Sequence, residues 1–198
     1  MNYILVAYED TGDLKDYFIK ARNNLNDFLL SLDKRILNDI KKNCDSNSFI
    51  KNCIVQSDEK LNLIFHSHGD ETSILDNNNI EFLNYQMDLS TIKINIFYST
   101  ACETAKGKLK SKIIKQSNIF FGYNSIAYVV VGNDNIKDTF IECDNFCIKQ
   151  IALGFVNKDL LEIKTDQFFK NQIEEFIKKD LIVEAILLMH NKESIEIH

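Results

Sequence analysis

Leu63-Ile64-Phe65-His66-Ser67-His68-Gly69, read together with Ile96-Phe97-Tyr98-Ser99-Thr100-Ala101-Cys102-Glu103, decides how this chain folds. Each stretch is a short apolar run closed by a reactive side chain, His68 in the first and Cys102 in the second. Continuous apolar runs of this kind are typical of strands covered on both faces of a parallel sheet. Open α/β sheets bind their ligands just beyond the carboxyl ends of the strands. As neighbouring parallel strands, the two runs deliver an imidazole and a thiol to one sheet edge. A cysteine nucleophile and its general base need that arrangement.

Outward from this pair, strand and helix patterns alternate. Residues 3–8 form an apolar run that reads as a first central strand, and residues 9–13 form a polar turn able to cap a helix. Leu14, Phe18, Ala21, Leu25, Leu29, Leu32, Ile36 and Ile40 then follow at helical spacing, predicting one long amphipathic helix that ends near residues 45–48. A short strand is expected at 49–55, and a hairpin over 72–75 and 80–83 around Asp76-Asn77-Asn78-Asn79. Residues 92–98 read as a strand, and the pattern turns helical directly after Cys102. Further strands are expected at 119–122 and 126–131, then a helix over 137–153 stopped by Gly154, and two helices within 165–190. Alternation of this kind predicts an α/β sandwich with a mainly parallel sheet, folded as a single domain over residues 1–198.

Composition narrows the class. A chain of 198 residues with 45% hydrophobic and 26% charged residues suits one soluble globular core. The net charge of -6 disfavours direct binding to nucleic acid or to an anionic membrane surface. No run is long enough to span a bilayer, and the sequence opens on a strand pattern without a signal peptide. The five scattered cysteines read as reduced thiols in a cytoplasm. The loop Glu9-Asp10-Thr11-Gly12-Asp13 is acidic and nearly free of glycine, unlike the phosphate-cradling loop of a flavodoxin-like domain. No cofactor is expected.

The chemistry centres on Cys102 and His68. A thiol at a strand-to-helix turn faces the free N–H groups and partial positive charge of a helix start, which lower its pKa and can stabilise an oxyanion. Cys44, Cys53, Cys143 and Cys147 read as structural. Gly69 after His68 lets a substrate carbonyl approach the main chain. Another reading takes His66, His68 and Asp70 as a zinc site of the metallo-β-lactamase type. That site needs further histidines, and only His190 and His198 remain downstream, with Glu71 where the motif carries another histidine. A catalytically silent interaction module would keep the same fold.

Phe65-His66-Ser67-His68-Gly69 followed by Tyr98-Ser99-Thr100-Ala101-Cys102-Glu103-Thr104-Ala105-Lys106-Gly107 resembles the caspase-like (clan CD) cysteine peptidases, most closely the prokaryotic CHAT peptidases. The resemblance extends through residues 127–134 to the helix ending at Gly154, and so covers about residues 3–155. It implies a caspase-like three-layer α/β/α sandwich with a mainly parallel sheet of about six strands. It also implies that His68 is the general base and acid, Cys102 the nucleophile, and the N–H groups of Gly69 and Cys102 the oxyanion hole. The substrate would be a protein cut in a limited way. A regulatory or sensor protein, or a site loop that occludes Cys102, would control the activity, as in prokaryotic defence (antiviral defence included) or regulated cell death.

Specificity follows from residue types. Caspases read aspartate through an arginine-lined pocket. Here the arginines are Arg22 and Arg35, both within the predicted long helix, and Thr100 stands where caspases carry a glutamine two before the cysteine. Cleavage after aspartate is not expected. Relatives that cut after Arg or Lys line the pocket with carboxylates, for which Glu9, Asp10 and Asp134 are the candidates; each reads equally as a solvated turn carboxylate. Lys106, Lys108, Lys110, Lys112 and Lys115 read as the solvated face of the helix after Cys102.

Overall fold

The computed structural model describes residues 2–7, 14–34, 36–39, 60–75 and 81–198. Its main sheet contains β1 (Asn2–Ala7), β2 (Ile36–Asp39), β3 (Leu61–His66), β7 (Ile94–Ser99), β8 (Ile119–Tyr123) and β9 (Ile195–Ile197). A small sheet contains β4 (His68–Gly69), β5 (Ser73–Leu75) and β6 (Glu81–Asn84). The helices among the described residues are α1 (Lys15–Ser31), α2 (Gly107–Ile113), α3 (Asp134–Ala152), α4 (Lys158–Lys178) and α5 (Ile182–Glu193). In the main sheet the order is β2-β1-β3-β7-β8-β9, parallel throughout except for the last pair.

Every residue of β3 is buried, as a strand with both faces covered must be. Alternation sorts its side chains. Leu61, Leu63 and Phe65 join Phe97 and Phe120 on one face, under Leu109 and Ile113 of α2 and under the small sheet. Ile64 joins Ile96, Tyr98, Phe121 and Tyr123 on the other, under α1, α3 and Leu161 of α4. Each such apolar side chain contributes about 1.5–3 kcal/mol by leaving water. Tyr17, Phe18, Phe140, Phe169, Phe176 and Leu188 form a further cluster that packs α4 and α5 against α1 and α3. Helices therefore cover both faces of a mainly parallel sheet, as the sequence predicts, and the C-terminal helices belong to the same packed body.

Three local readings need correction. The first helix stops at Ser31, because Asp33 adopts a left-handed conformation (φ 53). The N–H groups of Asp33 and Lys34 return to the carbonyls of Leu30 (3.0 Å) and Leu29 (2.9 Å), which closes the helix as a Schellman turn. Ile36, expected to continue the helical stripe, lies in β2 instead. Residues 126–131 form no strand, because the edge of β8 is occupied by β9, a strand the sequence reading did not foresee. Ile40, Arg35, Cys44, Cys53, the expected helix end at 45–48, the expected strand at 49–55 and the hairpin turn at 76–79 lie outside the described residues. The hairpin itself forms as expected, with Ile74 opposite Leu83. Gly154 follows the α3 cap at φ 103, a conformation that favours glycine.

One buried carboxylate joins these layers. Asp144 of α3 accepts from the hydroxyls of Tyr17 (2.7 Å) and Tyr123 (2.6 Å), and its main-chain carbonyl accepts from the Tyr98 hydroxyl. Burial is the main influence on this carboxyl and pushes its pKa up to about 6, against the opposing pull of the two tyrosine bonds. Between its ordinary value of ~3.9 and that raised value, the unfolded chain releases the proton while the folded chain keeps it. This contribution to stability is therefore complete at low pH and is lost as pH rises through the window. Asp144→Asn, which cannot ionise, removes the slope. Compared with the variant by urea unfolding, the natural protein should lose on the order of 2–3 kcal/mol across that window. Parallel pH curves for the two proteins would contradict the assignment.

Candidate active site

The two apolar runs of the sequence are adjacent parallel strands. β3 pairs with β7 so that Phe65 stands opposite Ser99. Beyond the ladder the two chains stay together: the Thr100 N–H donates to the Phe65 carbonyl (2.9 Å), and His66 Nδ1 meets the Thr100 hydroxyl (3.2 Å). The chain after β3 then bears directly on the chain after β7. A Cβ built on Gly69 would stand 2.9 Å from the Ala101 Cβ, 3.0 Å from Thr104 Cγ2 and 3.1 Å from the Ser73 carbonyl. Close approach of backbone to neighbour is the reason glycine is required here. His68, just before it, enters β4 opposite Leu75, and its ring meets the Phe18 ring edge-on at 5.4 Å.

His66 and Asp70 have structural roles. His66 is fully buried in β3, and burial lowers its pKa to about 3, so the ring is neutral. Asp70 Oδ1 accepts from the N–H and hydroxyl of both Thr72 and Ser73 (2.7–3.2 Å). Partial burial raises the Asp70 pKa, but these bonds together outweigh it and leave the carboxyl below its ordinary value. Among the described residues no three His, Cys, Asp or Glu side chains converge to hold a metal ion.

Cys102 is not at the start of a helix, and this corrects the expectation of a helix-lowered thiol pKa. α2 begins only at Gly107. In between, Glu103 is left-handed (φ 54), its N–H donates to the Ser125 carbonyl (3.1 Å), and the Ala105 N–H donates to the Tyr123 carbonyl (2.9 Å). These bonds hold the turn against the end of β8 and delay the helix. Burial is the largest influence on the thiol and pushes its pKa up. The N–H groups of Ala127 and of Cys102 itself pull it down, while Glu103 and Asp144 push it up. The Ala127 N–H reaches Cys102 Sγ at 3.3 Å, and the thiol faces the Ala127 carbonyl at 3.9 Å. Read from the sequence, Ala127 and Asn191 have no part in the site, and His190 counts only as a remaining downstream histidine. Nothing in the local pattern marks a residue whose main chain covers a sulfur.

Of the candidate pocket acids, Glu9 and Asp10 lie outside the described residues. Asp134 sits in the first turn of α3 and pairs with Lys137 (3.1 Å) and Lys20 (3.6 Å). Four of the five lysines after Cys102 are also engaged. Lys106 pairs with Glu103, Lys108 lies over the Tyr85 ring, Lys110 pairs with Glu196, and Lys112 donates to the carbonyls of Tyr85 and Met87. No described helix is long and apolar enough to cross a membrane. No protein-family model matches the chain, and no curated protein matches it.

Gly69→Ala should destabilise the protein by about 1–3 kcal/mol, since the added methyl has to displace Ala101, Thr104 or the Ser73 carbonyl. A urea midpoint unchanged from the natural protein would show that the two turns are not in this tight contact.

Proposed function

We propose that this protein is a cysteine endopeptidase carrying out limited proteolysis of a partner protein, with His68 as general base and acid and Cys102 as nucleophile. The observation that carries this reading is the β3·β7 pairing, with Phe65 opposite Ser99 and Gly69 packed on Ala101. It supports the expectation that an imidazole and a thiol leave one sheet edge side by side.

In this mechanism the imidazole takes the thiol proton as Sγ attacks the scissile carbonyl carbon, and the carbonyl oxygen becomes the oxyanion. The N–H groups of Gly69 and Cys102 stabilise that charge. His68 returns the proton to the leaving amine, which departs with the C-terminal fragment. Water, deprotonated by His68, then hydrolyses the thioester and regenerates the thiol. No cofactor takes part.

The pairing of Asp134 with two lysines counts against it as the reader of a basic substrate side chain. Glu9 and Asp10 keep that role in the proposal. The caspase-like and CHAT resemblance adds a cytoplasmic setting, a controlling sensor or partner protein and a place in prokaryotic defence or regulated death. One observation favours a second reading: a thiol whose pKa is raised by burial suits a catalytically silent interaction module of the same fold.

A peptide-library cleavage assay separates the two. The natural protein should cut a subset of peptides, and Cys102→Ala and His68→Ala should each slow this at least about a hundredfold. Cleavage that persists in Cys102→Ala sinks the mechanism. A natural protein that cuts neither the library nor its co-purifying partner favours the interaction module.

A further inference from the structure

Residues 124–128 run past Cys102; the Glu103 N–H donates to the Ser125 carbonyl (3.1 Å), and the other attachments come from the end of α5 and the start of β9. The Asn124 N–H donates to the Ser194 carbonyl (2.8 Å), and the Asn124 amide donates to Glu196 (3.0 Å). The His190 ring meets the Ile126 carbonyl through Nε2 (3.1 Å) and packs edge-on against Tyr128. Asn191, 1% exposed, behaves as a strand would. Its Oδ1 accepts from the Tyr128 N–H (2.7 Å) and its Nδ2 donates to the Tyr128 carbonyl (2.7 Å). Between these points lies Ala127, whose main chain contacts the sulfur.

The outer side of the segment is apolar and open to solvent, with Ile126 at 55% and Tyr128 at 40% exposure. Burial of these two side chains therefore does little to hold the segment in place, although Ala127 between them packs on the core and Val129 and Val130 beyond it pack inward. Hydrogen bonds hold it instead: the two from Asn191 to Tyr128 and one from His190 to Ile126 around Ala127, with the Asn124 bonds and the Glu103–Ser125 bond at its near end. An extended stretch fastened by side chains opens locally at far lower cost than a strand inside a sheet.

We propose that residues 124–128 form an autoinhibitory strap over Cys102, held shut by Asn191 and His190, so that movement of α5 uncovers the thiol. As regulation of catalysis, this rests on Cys102 being the nucleophile. The exposure of the thiol can be read without any peptide hydrolysis, so loss of the peptidase reading would leave the result below intact.

The test is the rate of alkylation of Cys102 by iodoacetamide in the full chain, followed residue by residue by mass spectrometry. Cys143 and Cys147 are buried and free, and they report on the fold in the same samples. Asn191→Ala removes two bonds and should speed Cys102 alkylation about tenfold or more, while Cys143 and Cys147 stay protected. Asn191→Asp keeps an acceptor for Tyr128 and should fall between. An unchanged or slower Cys102 rate with the other two thiols protected overturns the proposal. If Cys143 and Cys147 also react in Asn191→Ala, the decision passes to His190→Ala, which removes one bond and one ring contact at the surface. There an acceleration of about threefold is expected, and none overturns the proposal.

Discussion

The parallel pairing of β3 with β7 is the constraint on which the rest depends. β3 is buried on both faces and sits between β1 and β7, so it cannot slip without turning a whole set of apolar side chains to the wrong layer. With Phe65 fixed opposite Ser99, the bonds from Thr100 to Phe65 and His66 are fixed as well. The two chains then leave the sheet in contact, and only glycine at position 69 permits the approach. The placing of His68 and Cys102 is thus a product of sheet register. The bonds from Glu103 and Ala105 to the chain at the end of β8 complete it on the Cys102 side.

Around that edge, the polar groups divide into those that hold shape and those left to act. His66 is neutral and bonded to Thr100, Asp70 is enclosed by Thr72 and Ser73, and Asp144 is held by tyrosines from α1 and β8. Each sits where burial or a dense set of donors fixes it to its neighbours. Cys102 differs. Its sulfur is reached by the main-chain N–H groups of Ala127 and of Cys102 itself, and burial pushes its pKa above the ordinary thiol value.

Most of the sheet could be read from the sequence, because strands buried on both faces leave unbroken apolar runs and their spacing reports which residues share a layer. The hairpin over β5 and β6 and the glycine stop after α3 could be read for the same local reason. What could not be read depends on contacts distant in sequence. The apolar stripe continues in register from Leu32 to Ile36, so the end of α1 is invisible unless Asp33 is known to be left-handed. Residues 126–131 carry a strong strand composition, but the ladder position they would take belongs to β9, whose Ile-Glu-Ile is too short to be noticed. Asn191 is one asparagine among many until its two bonds to Tyr128 are seen. The edge where the candidate dyad lies was legible. The cover over it was not.

β9 also determines the order in which the molecule is completed. Synthesis runs from the N-terminus, so β8, with Phe120 and Phe121, emerges long before residues 195–198 exist to pair with it. An unpaired aromatic edge is a template for wrong partners, and it stays open while α3, α4 and α5 are being made. The residues that close it adjoin those that fasten the segment over Cys102, since Ser194 and Glu196 hold Asn124. Until residues 194–196 are made, the Asn124 end of that segment lacks two of its bonds, so sealing the sheet and fastening the segment beside the sulfur draw on the same residues.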